Sequence, residues 1–181
     1  MIIGLTGKAG AGKTTAASFL VRDLGFTCVK FAALLKGMLY TLGLSYAHIE
    51  GELKEVPCAF LCGKTPRYAM QTLGTEWGRN MLGDDVWVRV AMQRVRLYPN
   101  VVFDDMRYPN EAAAIKAKQG VIWKIERPGI VLVEAHASET EQITIKPDAV
   151  LTNNGTVQQL REAVHALHMS TSPAWRERHG E

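Results

Sequence analysis

The stretch IIGLTGKAGAGKTTA, residues 2–16, constrains the fold more than any other. Residues 1–6 read as a short apolar strand. Residues 14–24 read as a helix, with Phe19, Leu20 and Leu24 apolar at helical spacing. Between them runs Gly7-x-x-x-x-Gly12-Lys13-Thr14. Glycines there permit backbone angles that turn successive N–H groups inward, where a side chain would obstruct an anion. The following helix aims the positive end of its dipole at the same point. A strand, an anion-cradling turn and a helix in direct succession imply a parallel sheet with helices on its faces.

The rest of the chain keeps this alternation. Strands are expected at 26–31, 100–107, 121–127 and just after 148, and helices at 32–42, 85–97, 109–120 and 157–168. Gly25, Gly43 and Gly120 punctuate helix ends. The predicted fold class is α/β, a five-stranded parallel sheet flanked by helices. Two stretches break the rhythm, 43–84 and 128–148; long irregular segments in a compact domain are usually functional. The expected core is therefore 1–42, 85–127 and 149–169, with a frayed tail over 170–181.

Composition narrows the function classes. A chain of 181 residues with 47% hydrophobic content suits a single domain. A net charge of +3, with basic residues scattered, argues against duplex binding. Cys28, Cys58 and Cys62 are too few and odd in number for a disulfide framework, and Cys58-x-x-x-Cys62 lacks a second pair for zinc. No leader pattern or membrane-length apolar run is visible, so a soluble, cytoplasmic protein is expected.

The loop's residues suit a nucleoside triphosphate. Gly7, Ala9, Gly10, Ala11, Gly12 and Thr15 supply the cradle. Lys13 reaches the β- and γ-phosphates of ATP, and the Thr14 hydroxyl ligates Mg²⁺. No Asn-Lys-x-Asp is present to specify guanine, and the chain is small for a motor ATPase, which leaves a small-molecule kinase as the leading class. VVFDDMR (101–107) puts Asp104 and Asp105 at a strand end, where ligands of such sheets bind. Alternation forbids both from facing the site unless the strand has already ended; Asp105 and Arg107 share a parity.

TPRYAMQTLGTEWGR (65–79) reads as one helix beginning at Pro66. On it Arg67, Gln71, Gly74 and Gly78 form one stripe, and Met70, Leu73, Trp77 and Met81 an apolar one suited to the core. The glycines would let a flat ligand approach the backbone, with Arg67 forking onto a phosphate and Gln71 meeting a base edge. Arg79 falls off the stripe unless the glycines break the helix.

With these motifs the chain resembles the deoxynucleoside monophosphate kinases of tailed bacteriophages, within the P-loop nucleoside-monophosphate-kinase superfamily. The resemblance runs through GLTGKAGAGKTT, KFAALLKGML, TPRYAMQTLGTEWGRNMLGDDVWV, VVFDDMRYPNEAAAI, IERPG with HASE, and LTNNGTVQQL. It implies a P-loop kinase fold with a monophosphate-binding helical insert at about 43–84 and a small lid at about 128–148. It implies Lys36, Arg67, Arg79 and Arg107 as phosphate contacts and Gln71 and Trp77 near the base. It also implies Asp105 near Mg²⁺, Arg127 and His136 at the lid, and Asn154 in the turn beside the donor adenine. The lid departs from the pattern, since 128–148 holds no arginine and only Lys146 as a cation.

The implied reaction is ATP + dNMP ⇌ ADP + dNDP, with Lys13, Arg67, Arg107 and Arg127 stabilising the transferring charge and no general base required. The implied partner is a small deoxynucleotide, with no nucleic acid or membrane and a monomeric or homodimeric state. Two alternatives stay open. A dephospho-CoA kinase-like enzyme would phosphorylate a hydroxyl and use Asp104 or Asp105 as base. A non-catalytic nucleotide-binding or DNA-associated ATPase module would need the loop alone.

Overall fold

The computed structural model describes residues 1–130 and 144–172. Its five strands are β1 (Ile2–Thr6), β2 (Thr27–Cys28), β3 (Val101–Phe103), β4 (Val121–Glu126) and β5 (Ala149–Thr152). They form one wholly parallel sheet in the order β2-β3-β1-β4-β5. The central strand β1 pairs Ile3 with Val102 on one side and with Val121 on the other. Strands covered on both faces must be apolar throughout, and IIGLT and VVF are, apart from Thr6.

The chain divides into two compact units. The first holds the sheet, with α1 (Lys13–Leu24), α6 (Pro109–Lys116) and α7 (Val157–Thr171). Ile3, Leu5, Leu20, Trp123 and Val164 form the centre of its core, each fully buried. A Cβ on Gly4 would lie 2.7 Å from Ile115 Cδ1, so β1 can carry no side chain where α6 covers it. Asp23 ties α1 to α7 by accepting from Arg161 Nε at 2.8 Å and His165 Nε2 at 3.0 Å. The bonds from His165 and then Arg161 hold its carboxyl below the usual range.

Two predicted strands are shorter than expected. β2 is an edge strand paired only to β3, and β3 stops at Phe103. Both Asp104 and Asp105 therefore lie beyond the strand, and parity does not choose between them. The chain then enters α6 through a capping interaction. Buried Glu111 accepts from the backbone N–H of Arg107 at 2.7 Å and of Tyr108 at 3.0 Å. Glu111→Ala removes charged hydrogen bonds of about 1.5–3 kcal/mol and leaves two donors unsatisfied. A lowered midpoint in urea unfolding, at unchanged slope, is the expected result.

The second unit, Phe31–Ala91, contains α2 (Ala33–Thr41), the short α3 (Tyr46–Ile49) and α4 (Pro66–Gln71). A π-helix, Thr72–Leu82, continues α4, and α5 (Val86–Val95) begins here. Its own core joins Leu35, Leu39, Leu44, Ile49, Met70 and Trp87. That cluster is why the unit extends past the predicted 43–84 insert, taking in α2 and the start of α5.

The single α-helix expected over 65–79 is overturned. Thr65 and Pro66 start α4 as predicted, Thr65 Oγ1 accepting from Tyr68 N at 3.1 Å. From Thr72 the turns widen to i→i+5 closure, as in Gly83 N to Gly78 O at 3.1 Å. Stripes drawn for 3.6 residues per turn then lose register. Met70 is buried, but Met81 is 75% exposed and Trp77 reaches the surface. The indole of Trp87 fills the space the glycines leave. Its Nε1 donates to Gly74 O at 2.8 Å, and a Cβ on Gly78 would fall 2.4 Å from its Cζ2. The expectation that these glycines bare the helix for a ligand is thus corrected: the protein's own Trp87 covers Gly78, and Leu35 lies beside Gly74.

Candidate active site

The phosphate loop lies between β1 and α1 in the first unit. Gly7, Gly10 and Gly12 all adopt positive φ, and Gly12 at +105° directly precedes α1. At Gly7 a Cβ would fall 2.2 Å from the carbonyl oxygen of Ile125, a contact no side chain tolerates. Lys13 Nζ bends back over the loop, donating to the carbonyls of Gly7 at 2.5 Å and Lys8 at 2.9 Å. Ala11, by contrast, packs into the core.

A cleft of about 340 Å³ opens at this point, lined by Gly10, Gly12, Lys13, Thr14, Thr15 and Arg127 among others. The structure therefore brings together most of the residues expected to hold a donor nucleotide. Ala9 is exposed and Gly7 buried, and neither lines the cleft. The asparagine at the cleft is Asn153, where the resemblance had pointed to Asn154. Asn153 follows directly on β5, and its Nδ2 donates to Ala11 O at 2.8 Å, bracing the loop from beneath; Asn154 is exposed and outside the lining. Asn153→Ala should raise KM for ATP several-fold while Asn154→Ala leaves it unchanged, as initial-rate kinetics will show.

At the carboxyl end of β3, the strand that neighbours β1, Asp104 is buried and ion-paired with Lys30 Nζ at 3.5 Å, and it accepts from the Cys28 thiol at 3.6 Å. Desolvation, and then the charge of Asp104, push the Cys28 thiol up to about 12. Although Cys28 reaches the surface, its sulfur stays protonated at neutral pH and is no nucleophile. Asp105 and Arg107 are half-buried on the segment that leads to α6. Lys30, Asn153 and the capping Glu111 went unread in the sequence. Only Glu111 carried a signal, a glutamate in the first turn after a proline.

In the second unit, Lys36 on α2 pairs with Glu50 and Arg67 on α4 pairs with Glu55. Gln71 ends α4 half-buried. Trp77 is about a third exposed and leans on Trp87, ring centres 6.1 Å apart. Arg79 is buried, and its Nη1 donates to Asp84 O at 3.0 Å, a position that the π-helical turn creates. His136 and most of the expected lid lie outside the described residues. Among those described, no three His, Cys, Asp or Glu side chains group to hold a metal, and no helix is long and apolar enough to cross a membrane.

Comparison with known proteins agrees with this architecture. Solved structures of shikimate kinase from Aquifex aeolicus (17% identity, TM-score 0.52, covering 95% of this chain and 98% of that one) and of dephospho-CoA kinase from Campylobacter jejuni (14%, 0.50, 96% and 98%) share the fold. A protein of Acanthamoeba polyphaga mimivirus, whose name assigns it provisionally to the deoxynucleotide monophosphate kinases, is 37% identical over 177 residues. The match covers 88% of this chain and 91% of that one. The family model for deoxynucleotide monophosphate kinase matches residues 64–164, more than half of the chain. The chain belongs to the deoxynucleotide monophosphate kinase family.

Proposed function

We propose that the protein transfers the γ-phosphoryl group of ATP to a deoxynucleoside monophosphate, giving ADP and the diphosphate. The observation that carries the reading is the cleft in which the glycine loop, Lys13, Thr14 and Arg127 converge, in a chain of this family. Lys13 neutralises the donor's β- and γ-phosphates, with the positive end of α1 behind it. Arg127 adds a second cation to the same cleft. Arg67, Arg79, Arg107 and Lys36 are assigned to the acceptor's phosphate, and Gln71 and Trp77 to its base.

The residues present fit Mg²⁺ carried in with the triphosphate. Thr14 and Asp105 offer hard oxygen donors, and the lack of a carboxylate cage among the described residues suits a cation held largely by phosphate and water. When bound, the ion draws off charge that builds on the transferring group. The acceptor oxygen is already ionised, because a phosphate monoester loses its second proton near pH ~6. No side chain need then act as base, and catalysis reduces to positioning and charge neutralisation. A hydroxyl-phosphorylating reading would require such a base, either Asp104, which is engaged by Lys30 and Cys28, or Asp105.

The test is transfer of label from γ-labelled ATP to each deoxynucleoside monophosphate, with the products separated by ion exchange. Labelled diphosphate is expected; ATP hydrolysis with no labelled nucleotide refutes the reading.

A further inference from the structure

Both cations that the second unit contributes as surface-reachable acceptor contacts are already held by a carboxylate. Lys36 Nζ donates to Glu50 Oε1 at 2.7 Å, and Arg67 Nε donates to Glu55 Oε1 at 2.5 Å. The glutamates come from one short stretch: Glu50 directly follows α3, and Glu55 closes the 3₁₀ turn Glu52–Glu55. The cations sit on α2 and α4, which share the Leu35, Leu39 and Met70 core. Two cations on different helices are thus neutralised by one neighbouring segment.

We infer that Glu50 and Glu55 set the affinity for the acceptor, as internal counter-ions that the acceptor's phosphate must displace. The inference rests on the proposed assignment of Lys36 and Arg67. The pairs have the properties of exchangeable contacts. The Arg67 and Glu55 side chains are 42% and 62% exposed, and such pairs hold weakly against a competing anion. The Lys36–Glu50 pair is less exposed, at 18% and 28%, and is the harder of the two to exchange. A terminal phosphate monoester carries close to two negative charges and three acceptor oxygens, enough to replace a carboxylate on each cation it meets. A phosphodiester, with one charge and two free oxygens, replaces them poorly. The glutamates therefore lower the affinity of every anion that must displace them and keep the unliganded cations from collecting weakly held ones.

The experiment compares wild type, Glu50→Gln, Glu55→Gln and the double variant. Calorimetric titration without ATP uses a deoxynucleoside monophosphate and its phosphate methyl ester; steady-state kinetics give KM for each substrate. Each single variant is expected to bind the monophosphate about two- to fivefold more tightly, the range an exposed pair supports. The double variant should do so further, and the methyl ester, with one charge fewer, should gain less than the monophosphate. KM for the acceptor falls and KM for ATP stays. Glu52→Gln, on the same turn and exposed, leaves both constants unchanged. Thermal melting establishes that each variant is folded, and Glu50→Asp and Glu55→Asp, which keep the charge at shorter reach, give intermediate affinity. Unchanged or weaker acceptor binding in the folded Gln variants overturns the inference while leaving the proposed reaction standing. A wild type that phosphorylates no deoxynucleotide overturns both.

Discussion

Lys13→Met should lower kcat for phosphoryl transfer by at least 10²–10³-fold, the loss typical when one charge-stabilising donor is removed from a reacting oxyanion. The fold should survive. Lys13 Nζ donates to the loop carbonyls of Gly7 and Lys8, and a hydrogen bond of this kind contributes about 1 kcal/mol net. Lys13→Arg should not restore the rate, because a planar guanidinium cannot occupy a seat shaped for a compact ammonium between two carbonyls. Stopped-assay turnover and a thermal melt on the same preparations separate the two effects. Near wild-type turnover in Lys13→Met would remove the loop from the chemistry.

Gly78→Ala should be the most damaging small substitution in the second unit. Its new Cβ would lie 2.4 Å from Trp87 Cζ2 and 2.6 Å from Cε2 and Nε1, so the indole must move. Movement breaks its bond to Gly74 O and disturbs the cluster with Leu35, Leu39 and Met70. Overpacking of about 1–3 kcal/mol plus a lost hydrogen bond of about 1 kcal/mol gives a loss of about 2–4 kcal/mol. Trp87→Ala alone should cost about 3–5 kcal/mol. In that background Gly78→Ala should become neutral or stabilising, since alanine is the better helix former by about 1 kcal/mol. A double-mutant cycle by denaturant unfolding reads this coupling directly. Additive losses would mean that Trp87 does not rest on Gly78.

The contrast between these two positions marks what the sequence could disclose. Lys13 was legible because the strand, glycine loop and helix are contiguous, and local chemistry suffices to read them. The five-stranded parallel sheet was legible because IIGLT, VVF and VIWKIE are apolar runs spaced by helices. Gly78 was misread because its partner, Trp87, lies nine positions on, and the π-helical register that joins them leaves no mark in a 3.6-residue pattern. Asn153 was missed in favour of its neighbour because the end of β5 fixes which asparagine turns under the loop. The Glu50 and Glu55 pairings depend on tertiary folding of a segment that lacks clear periodicity.

The most direct test of the account is a coupled ADP-release assay with purified protein, ATP and Mg²⁺. Each deoxynucleoside monophosphate, each ribonucleoside monophosphate and dephospho-CoA is supplied in turn. The account predicts ADP release well above the ATP-only rate with one or more deoxynucleoside monophosphates, and none with dephospho-CoA. Stimulation by dephospho-CoA alone would contradict it.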